Sequence, residues 1–240
     1  MAITRRLSFW TFVVFGLVGS LFTLRAPAAN DFAQGELAKI LFFHLPAAIL
    51  TVVTATFAAV WAVRYLRGRN AIHEVKMGAA LDFSGFLSAY TMFSGILFSK
   101  SQWGEWYHGD PRQTSFLFVL LILGAGLSLR GAISDPDQRA KISAAYTAFS
   151  YLPILFLITV YPRLPQVANT SLHPSDTIQK GRLDSTYSVG VLLIIVSLCA
   201  FWSLVTRLRT EAFLSRQSHE LDADHSAPGP VVRPRPDARP

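Results

Sequence analysis

Six predominantly apolar stretches punctuate the chain, at residues 8–24, 40–63, 77–98, 114–129, 143–161 and 186–205. Each approaches the ~17–25 residues that cross a hydrocarbon core about 30 Å thick. No water reaches the backbone polar groups inside such a core, so each stretch must satisfy them within itself, as a helix. The pattern predicts an all-α, polytopic membrane protein, a bundle of six transmembrane helices occupying residues 1–210. Beyond about Gln217 the apolar periodicity stops and Pro, Ala, Asp and Arg take over, so residues 217–240 are expected to form a disordered cytoplasmic tail.

The polar positions between the stretches set an orientation. With the N-terminus inside, the inner segments carry fifteen of the 22 Lys and Arg residues, among them Arg5, Arg6, Arg64, Arg67, Arg69, Lys76, Arg130, Arg139 and Lys141. The outer segments carry Arg25, Lys39, Lys100, Arg112, Arg163, Lys180 and Arg182. Cationic loops stay on the cytoplasmic side, so the expectation is N-in and C-in. Composition agrees with a membrane protein: 15% charged residues against about 25% in an average soluble domain. The formal charge of +7 is therefore a topology signal, and no nucleic-acid partner is expected. Arg5-Arg6, the following apolar run and Ala26-Pro27-Ala28 also fit a cleavable signal peptide. The run exceeds the usual h-region of about 7–15 residues, which favours a retained first helix.

Between the third and fourth stretches lies Trp103-Gly104-Glu105-Trp106-Tyr107-His108-Gly109-Asp110-Pro111-Arg112-Gln113-Thr114-Ser115, within an outer loop spanning 99–115. Three aromatic residues offer flat apolar faces, while a carboxylate and an arginine can fix a polar edge. An aromatic belt at the membrane boundary is the plainer reading of Trp103, Trp106 and Tyr107. A belt does not call for Gly104, Gly109, Asp110 and Arg112 among them; a site for a large, flat, amphipathic ligand does. The glycines would let the backbone approach such a surface, and Asp110 would hold Arg112 or a turn.

The same outer side receives His44, roughly 6 Å below the outer end of the second helix at 1.5 Å per residue, and His173 in the loop 162–185. An imidazole in a membrane helix is a functional candidate, although helix packing alone would also account for His44, with Pro46 freeing a carbonyl for it. His173 alone reads equally as a solvated loop residue. Together, flanking an aromatic platform, two neutral imidazoles are suitable axial ligands for haem iron. The single cysteine, Cys199, is a packing residue by expectation, and no Cys-x-x-Cys-His haem-attachment site occurs. Asp82 is expected to pair with Lys76. Ser84, Ser88, Thr91 and Gly95 form a small-residue stripe suited to close helix packing. P-loop, HExxH and Gly-x-Ser-x-Gly patterns are absent, which leaves nucleotide hydrolysis and standard hydrolase chemistry without support.

These residues resemble the CcmC-type haem-handling proteins of cytochrome c maturation, part of the tryptophan-rich WWD superfamily with CcmF- and CcsA-type proteins. The family loop reads approximately Trp-Gly-x-Trp-Trp-x-Trp-Asp-x-Arg-Leu-Thr-Ser, and Trp103-Gly104, Trp106, Asp110, Arg112 and Thr114-Ser115 fall in register. Ile40-Leu41-Phe42-Phe43-His44-Leu45-Pro46-Ala47-Ala48 resembles the family's His-x-Pro-Ala-Ala helix start, and Ser171-Leu172-His173-Pro174 its second histidine loop. The resemblance spans roughly residues 8–205. The chain departs from the family pattern at Tyr107, Gly109 and Gln113, and His108 is an extra imidazole.

The resemblance implies that His44 and His173 are axial ligands to the iron of a non-covalent, transient haem b. Trp103, Gly104, Trp106, Tyr107, Asp110 and Arg112 would form the haem-binding loop, Arg112 facing a propionate, with Arg163, Lys180 and Arg182 as further candidates. It also implies a haem transfer protein rather than an enzyme, in the bacterial cytoplasmic (inner) membrane with its site on the periplasmic face. Its partners would be membrane lipid, a CcmE-type haem chaperone, the CcmA/CcmB ABC transporter subunits and CcmD. The rivals are a complete haem lyase, whose family members are larger; a quinone-linked redox protein, whose ligands lie deep in the bilayer; and a transport permease, built on broken helices.

Overall fold

The computed structural model describes residues 2–29, 32–173 and 184–226. It contains α1 (Ala2–Arg25), α2 (Leu41–Gly68, led in by a 3-10 turn at Leu37–Ile40), α3 (Ala71–Trp103), α4 (Pro111–Ala132), α5 (Pro136–Leu155), the single turn α6 (Pro165–Ala168) and α7 (Ser185–Ser226). No strand occurs among the described residues. Six helices, α1–α5 and α7, are long and apolar enough to cross a membrane, and the chain is a multi-pass, all-helical membrane protein.

Local chemistry explains where these helices begin and end. The Asn70 side chain accepts from the Ile72 N–H to start α3, Asp110 caps α4, and Asp135 caps α5. Pro111 and Pro136 occupy the first helical position of their helices, where a missing N–H costs nothing. Between α2 and α3 only Arg69 and Asn70 intervene; Arg69 turns the chain at φ 52°. Pro153 removes a bond donor late in α5, and the helix loosens into a π turn at Phe156–Val160 and a 3-10 turn at Tyr161–Arg163.

Packing then sets the bundle. The α2–α3 hairpin is the most extensive helix pair, and its seam is lined by small residues such as Ala47, Thr51, Ala55, Ala58, Ala80, Ser84 and Ser88, all buried. Small side chains let the backbones approach closely, and the Ser84 hydroxyl donates across the seam to the Thr51 carbonyl at 3.1 Å. α4 and α5 pack on this hairpin, and α7 crosses it while carrying α1 on its other side. Ser197 donates to the Phe12 carbonyl at 2.9 Å where α7 meets α1.

One expectation changes here. Asp82 pairs with Arg209 of α7, not with Lys76; the Lys76 ammonium instead lies 4.7 Å from the Trp61 ring centre. α7 runs as helix to Ser226, and residues 227–240 of the expected tail lie outside the described residues.

Candidate functional site

The aromatic loop is built by two helix ends. α3 closes on Gly104, whose φ of 82° lets its N–H bond the Lys100 carbonyl, a left-handed cap that glycine adopts without strain. Gly109, at φ 68°, makes the turn into α4. Open space surrounds both glycines, and their positive φ supplies the backbone shape of the loop. Ser99 and Lys100 fasten the intervening segment by donating to the carbonyls of Glu105 and Gly104 at 2.8 and 2.7 Å.

Asp110 organises the junction between this loop and the segment before His173. Its side chain is wholly buried, and it takes five donors. Oδ1 accepts from the N–H groups of Arg112 (2.8 Å) and Gln113 (3.3 Å), the helix cap. Oδ2 accepts from the Ser171 hydroxyl (2.9 Å) and the Leu172 N–H (2.7 Å). Oδ1 also lies 3.0 Å from Nδ1 of His173. Burial pushes the Asp110 carboxyl up, but the hydrogen bond and charge of His173, the Leu172 N–H and the Ser171 hydroxyl outweigh it and hold the group well below the usual carboxylate range. An ionised carboxylate only accepts, so Nδ1 of His173 carries a proton, and in the neutral tautomer this leaves the lone pair on Nε2. Ser171 Oγ accepts in turn from the His173 N–H at 3.2 Å. One buried carboxylate thus joins the start of α4 to a histidine 63 positions later.

His44 lies in the first turn of α2, half-buried, with Nδ1 2.9 Å from Ser94 Oγ of α3. Ser94 takes the place expected for a carbonyl freed by Pro46. His44 and His173 are within electrostatic reach of each other, so the two candidate imidazoles share one end of the bundle. Both sit on supports that occupy Nδ1, an arrangement suited to presenting Nε2 to a metal.

The aromatic residues divide. Trp103 meets His173 edge to face at 5.0 Å between ring centres, and also His108 at 5.8 Å and Phe98 at 5.6 Å. Trp106 and Tyr107 are about half exposed, at 55% and 47%, so their faces remain available to a ligand or a partner. Lys100 lies over Trp106, 5.7 Å from the ring centre. The residues that differ from the family loop have local roles. The Tyr107 hydroxyl shares a hydrogen bond with Thr114 Oγ1 at 2.6 Å. Gln113 donates to the Trp106 carbonyl at 3.0 Å and accepts from the His108 N–H at 3.5 Å. His108 Nδ1 stands 3.4 Å from Glu105.

The cations are placed less uniformly. Arg112, in the first turn of α4, is half-buried and within electrostatic reach of Arg163. Arg163 is exposed and donates to the Thr159 carbonyl at 2.6 Å, a group that the π turn leaves accessible. Lys180 and Arg182 lie outside the described residues. The connection after α1 borders the site through Gln34 and Gln102, which exchange two 3.1 Å hydrogen bonds. Residue types and spacing single out Trp103, Asp110 and both histidines. They do not single out Ser94 or Gln113, whose roles depend on which helices face each other.

Comparison with known proteins shows the family of the chain. A family model described as "CcmC: Heme exporter protein C" matches residues 1–223. "Heme exporter protein C" of Paracoccus denitrificans is 24% identical over 192 residues, covering 78% of each chain. That of Rhodobacter capsulatus is 27% identical, over 82% of this chain and 80% of its own. A "Putative cytochrome c biosynthesis ccmC-like mitochondrial protein" of Arabidopsis thaliana is 24% identical, over 85% of this chain and 78% of its own.

Proposed function

The chain belongs to the Heme exporter protein C family, and from that premise we propose that it holds haem through His44 and His173 at the outer face of the cytoplasmic membrane and delivers it to a haem chaperone. Membership implies haem handling in cytochrome c maturation. The finer reading is supported above all by the bond between Asp110 and His173. A carboxylate behind an imidazole fixes the ring, places the proton of the neutral tautomer on Nδ1 and strengthens Nε2 as a ligand, as carboxylate–histidine–metal groupings do.

Haem, non-covalently bound haem b, is the cargo, and its iron accepts the two imidazole lone pairs. His44 supplies one from a membrane helix and His173 the other from a loop held by Asp110. Trp103 packs against the His173 ring and shields it from water. Trp106 and Tyr107, half exposed, offer flat faces to the porphyrin edge or to the receiving protein. Arg112 and Arg163, neighbouring cations at the same end, suit the two propionate carboxylates; a guanidinium fork matches a carboxylate geometrically. Each group in this reading binds or positions the cargo and none attacks it, so the protein acts as a transfer protein rather than an enzyme. A CcmE-type chaperone, the CcmA/CcmB transporter subunits and CcmD are its partners in this reading.

Oxidised and reduced absorption spectra of the detergent-purified protein test the ligation, for the parent and for His44→Ala and His173→Ala. A bis-histidine spectrum that weakens in both variants is the expected result. A parent that takes up no haem on reconstitution, or spectra indifferent to both substitutions, would remove these two residues as ligands.

A further inference from the structure

We propose that Ser94 and Gly95 of α3 are positioning residues that set the tautomer and the ring plane of His44. The significance of that for haem rests on the function proposed above; the geometry does not. Ser94 Oγ lies 2.9 Å from His44 Nδ1 and 2.8 Å from the Tyr90 carbonyl, with the Thr91 carbonyl at 3.2 Å. A hydroxyl has one proton and a carbonyl can only accept. With that proton on the Tyr90 carbonyl, Ser94 Oγ accepts from His44, so Nδ1 is protonated and Nε2 holds the lone pair. The reverse assignment would set two oxygens 2.8 Å apart with no hydrogen between them. Ser94 is almost completely buried, at 1%, so water does not relieve that conflict.

Gly95 completes the support. A Cβ at this position would stand 3.1 Å from His44 Cε1 and 3.8 Å from Nδ1. Cε1 lies between the two ring nitrogens, so a methyl there would press on the edge that presents both of them. The small-residue stripe of α3 therefore has two functions. Ser84 bonds the α2 backbone and closes the hairpin seam, whereas the next turns toward the outer end hold an imidazole.

The two histidines also have unequal supports: an ionised carboxylate behind His173 and a neutral hydroxyl behind His44. Hydrogen bonds to an ionised acceptor are the stronger, and they raise ligand basicity more. His44 is thus the weaker donor of the pair.

Nitrogen-15 spectra of histidine-labelled, haem-free protein in detergent distinguish imidazoles protonated on Nδ1 from those protonated on Nε2. The parent is expected to show His44 protonated on Nδ1, and Ser94→Ala to move that proton toward Nε2. Ser94→Ala and Gly95→Ala should each weaken haem affinity about 10–100-fold, the usual effect of removing a ligand's outer support. Ser84→Ala, which deletes a hydrogen bond from the same helix pair, should change neither readout. A parent His44 protonated on Nε2, or equal effects from Ser84→Ala and Ser94→Ala, would overturn the proposal. If the tautomer behaves as expected but the parent binds no haem, the positioning stands and the haem reading is what fails.

Discussion

Asp110 carries more of the site than any other single side chain, and its chemistry limits what can replace it. Five donors converge on two oxygens, a demand that only an acceptor-only group meets. Asp110→Ala removes a helix cap, at about 0.5–2 kcal/mol, and leaves buried donors unpaired, at about 1–3 kcal/mol each. Asp110→Asn keeps the shape but turns one oxygen into an amide NH2, a donor that faces other donors. Both variants should melt at lower temperature in detergent and lose the spectral contribution of His173. A parent-like melting temperature and spectrum for Asp110→Asn would show that the carboxylate is dispensable. The loop motif makes Asp110 visible in the sequence, and its hold on the Arg112 turn can be read from local spacing. Its hold on His173 cannot, because a contact between residues 63 positions apart has no local signature. The same applies to Ser94: nothing in the run Thr91–Gly95 tells which helix its hydroxyl will face.

At the scale of the elements, apolar periodicity locates each crossing but not each helix end. α3 extends to Ala71 because Asn70 caps it, with Glu74 and Lys76 inside a helix that hydropathy alone would start later. Glu74 is retained there by pairing with Arg130 of α4. α7 runs to Ser226, about 63 Å at 1.5 Å per residue, roughly twice the hydrocarbon thickness. The part beyond the apolar stretch is tied back by Arg209 to Asp82 and by Glu211 to Arg5, pairs that no i to i+4 pattern within one helix reveals. Helix packing also gives glycines opposite meanings. At Gly190 of α7 a Cβ would fall 2.1 Å from Cε1 of Phe42, a buried ring stacked on Tyr187 at 4.5 Å. Gly190→Ala should therefore destabilise by about 1–3 kcal/mol through overpacking. Gly124 of α4 has open space around it, and Gly124→Ala should stabilise by about 0.5–1 kcal/mol through reduced backbone entropy. Thermal unfolding in one detergent compares the two; shifts of the same sign would contradict the difference in packing between these positions.

For the whole molecule the decisive question is which end faces which compartment. The bundle separates its two ends by composition. The end formed by the start of α1, the α2–α3 turn, the α4–α5 turn and the far half of α7 gathers Arg5, Arg6, Arg64, Arg67, Arg69, Lys76, Arg130, Arg139, Lys141, Arg207, Arg209 and Arg216. The opposite end holds His44, the aromatic loop and His173, with Arg25, Lys39, Lys100, Arg112 and Arg163 as its cations among the described residues. Cationic segments are retained on the cytoplasmic side during insertion, so the histidine end should face outward, where a chaperone outside the membrane can reach it. Single cysteines at two exposed positions test this in a Cys199→Ala background: Glu105→Cys in the aromatic loop and Ser134→Cys between α4 and α5. A membrane-impermeant maleimide applied to intact spheroplasts should label the first and reach the second only after permeabilisation. Labelling of Ser134→Cys alone would place His44 and His173 on the cytoplasmic side. Haem held there could not be handed directly to an outer partner, so the protein would have to move its cargo across the bilayer, and delivery at a fixed outer site would give way to transport.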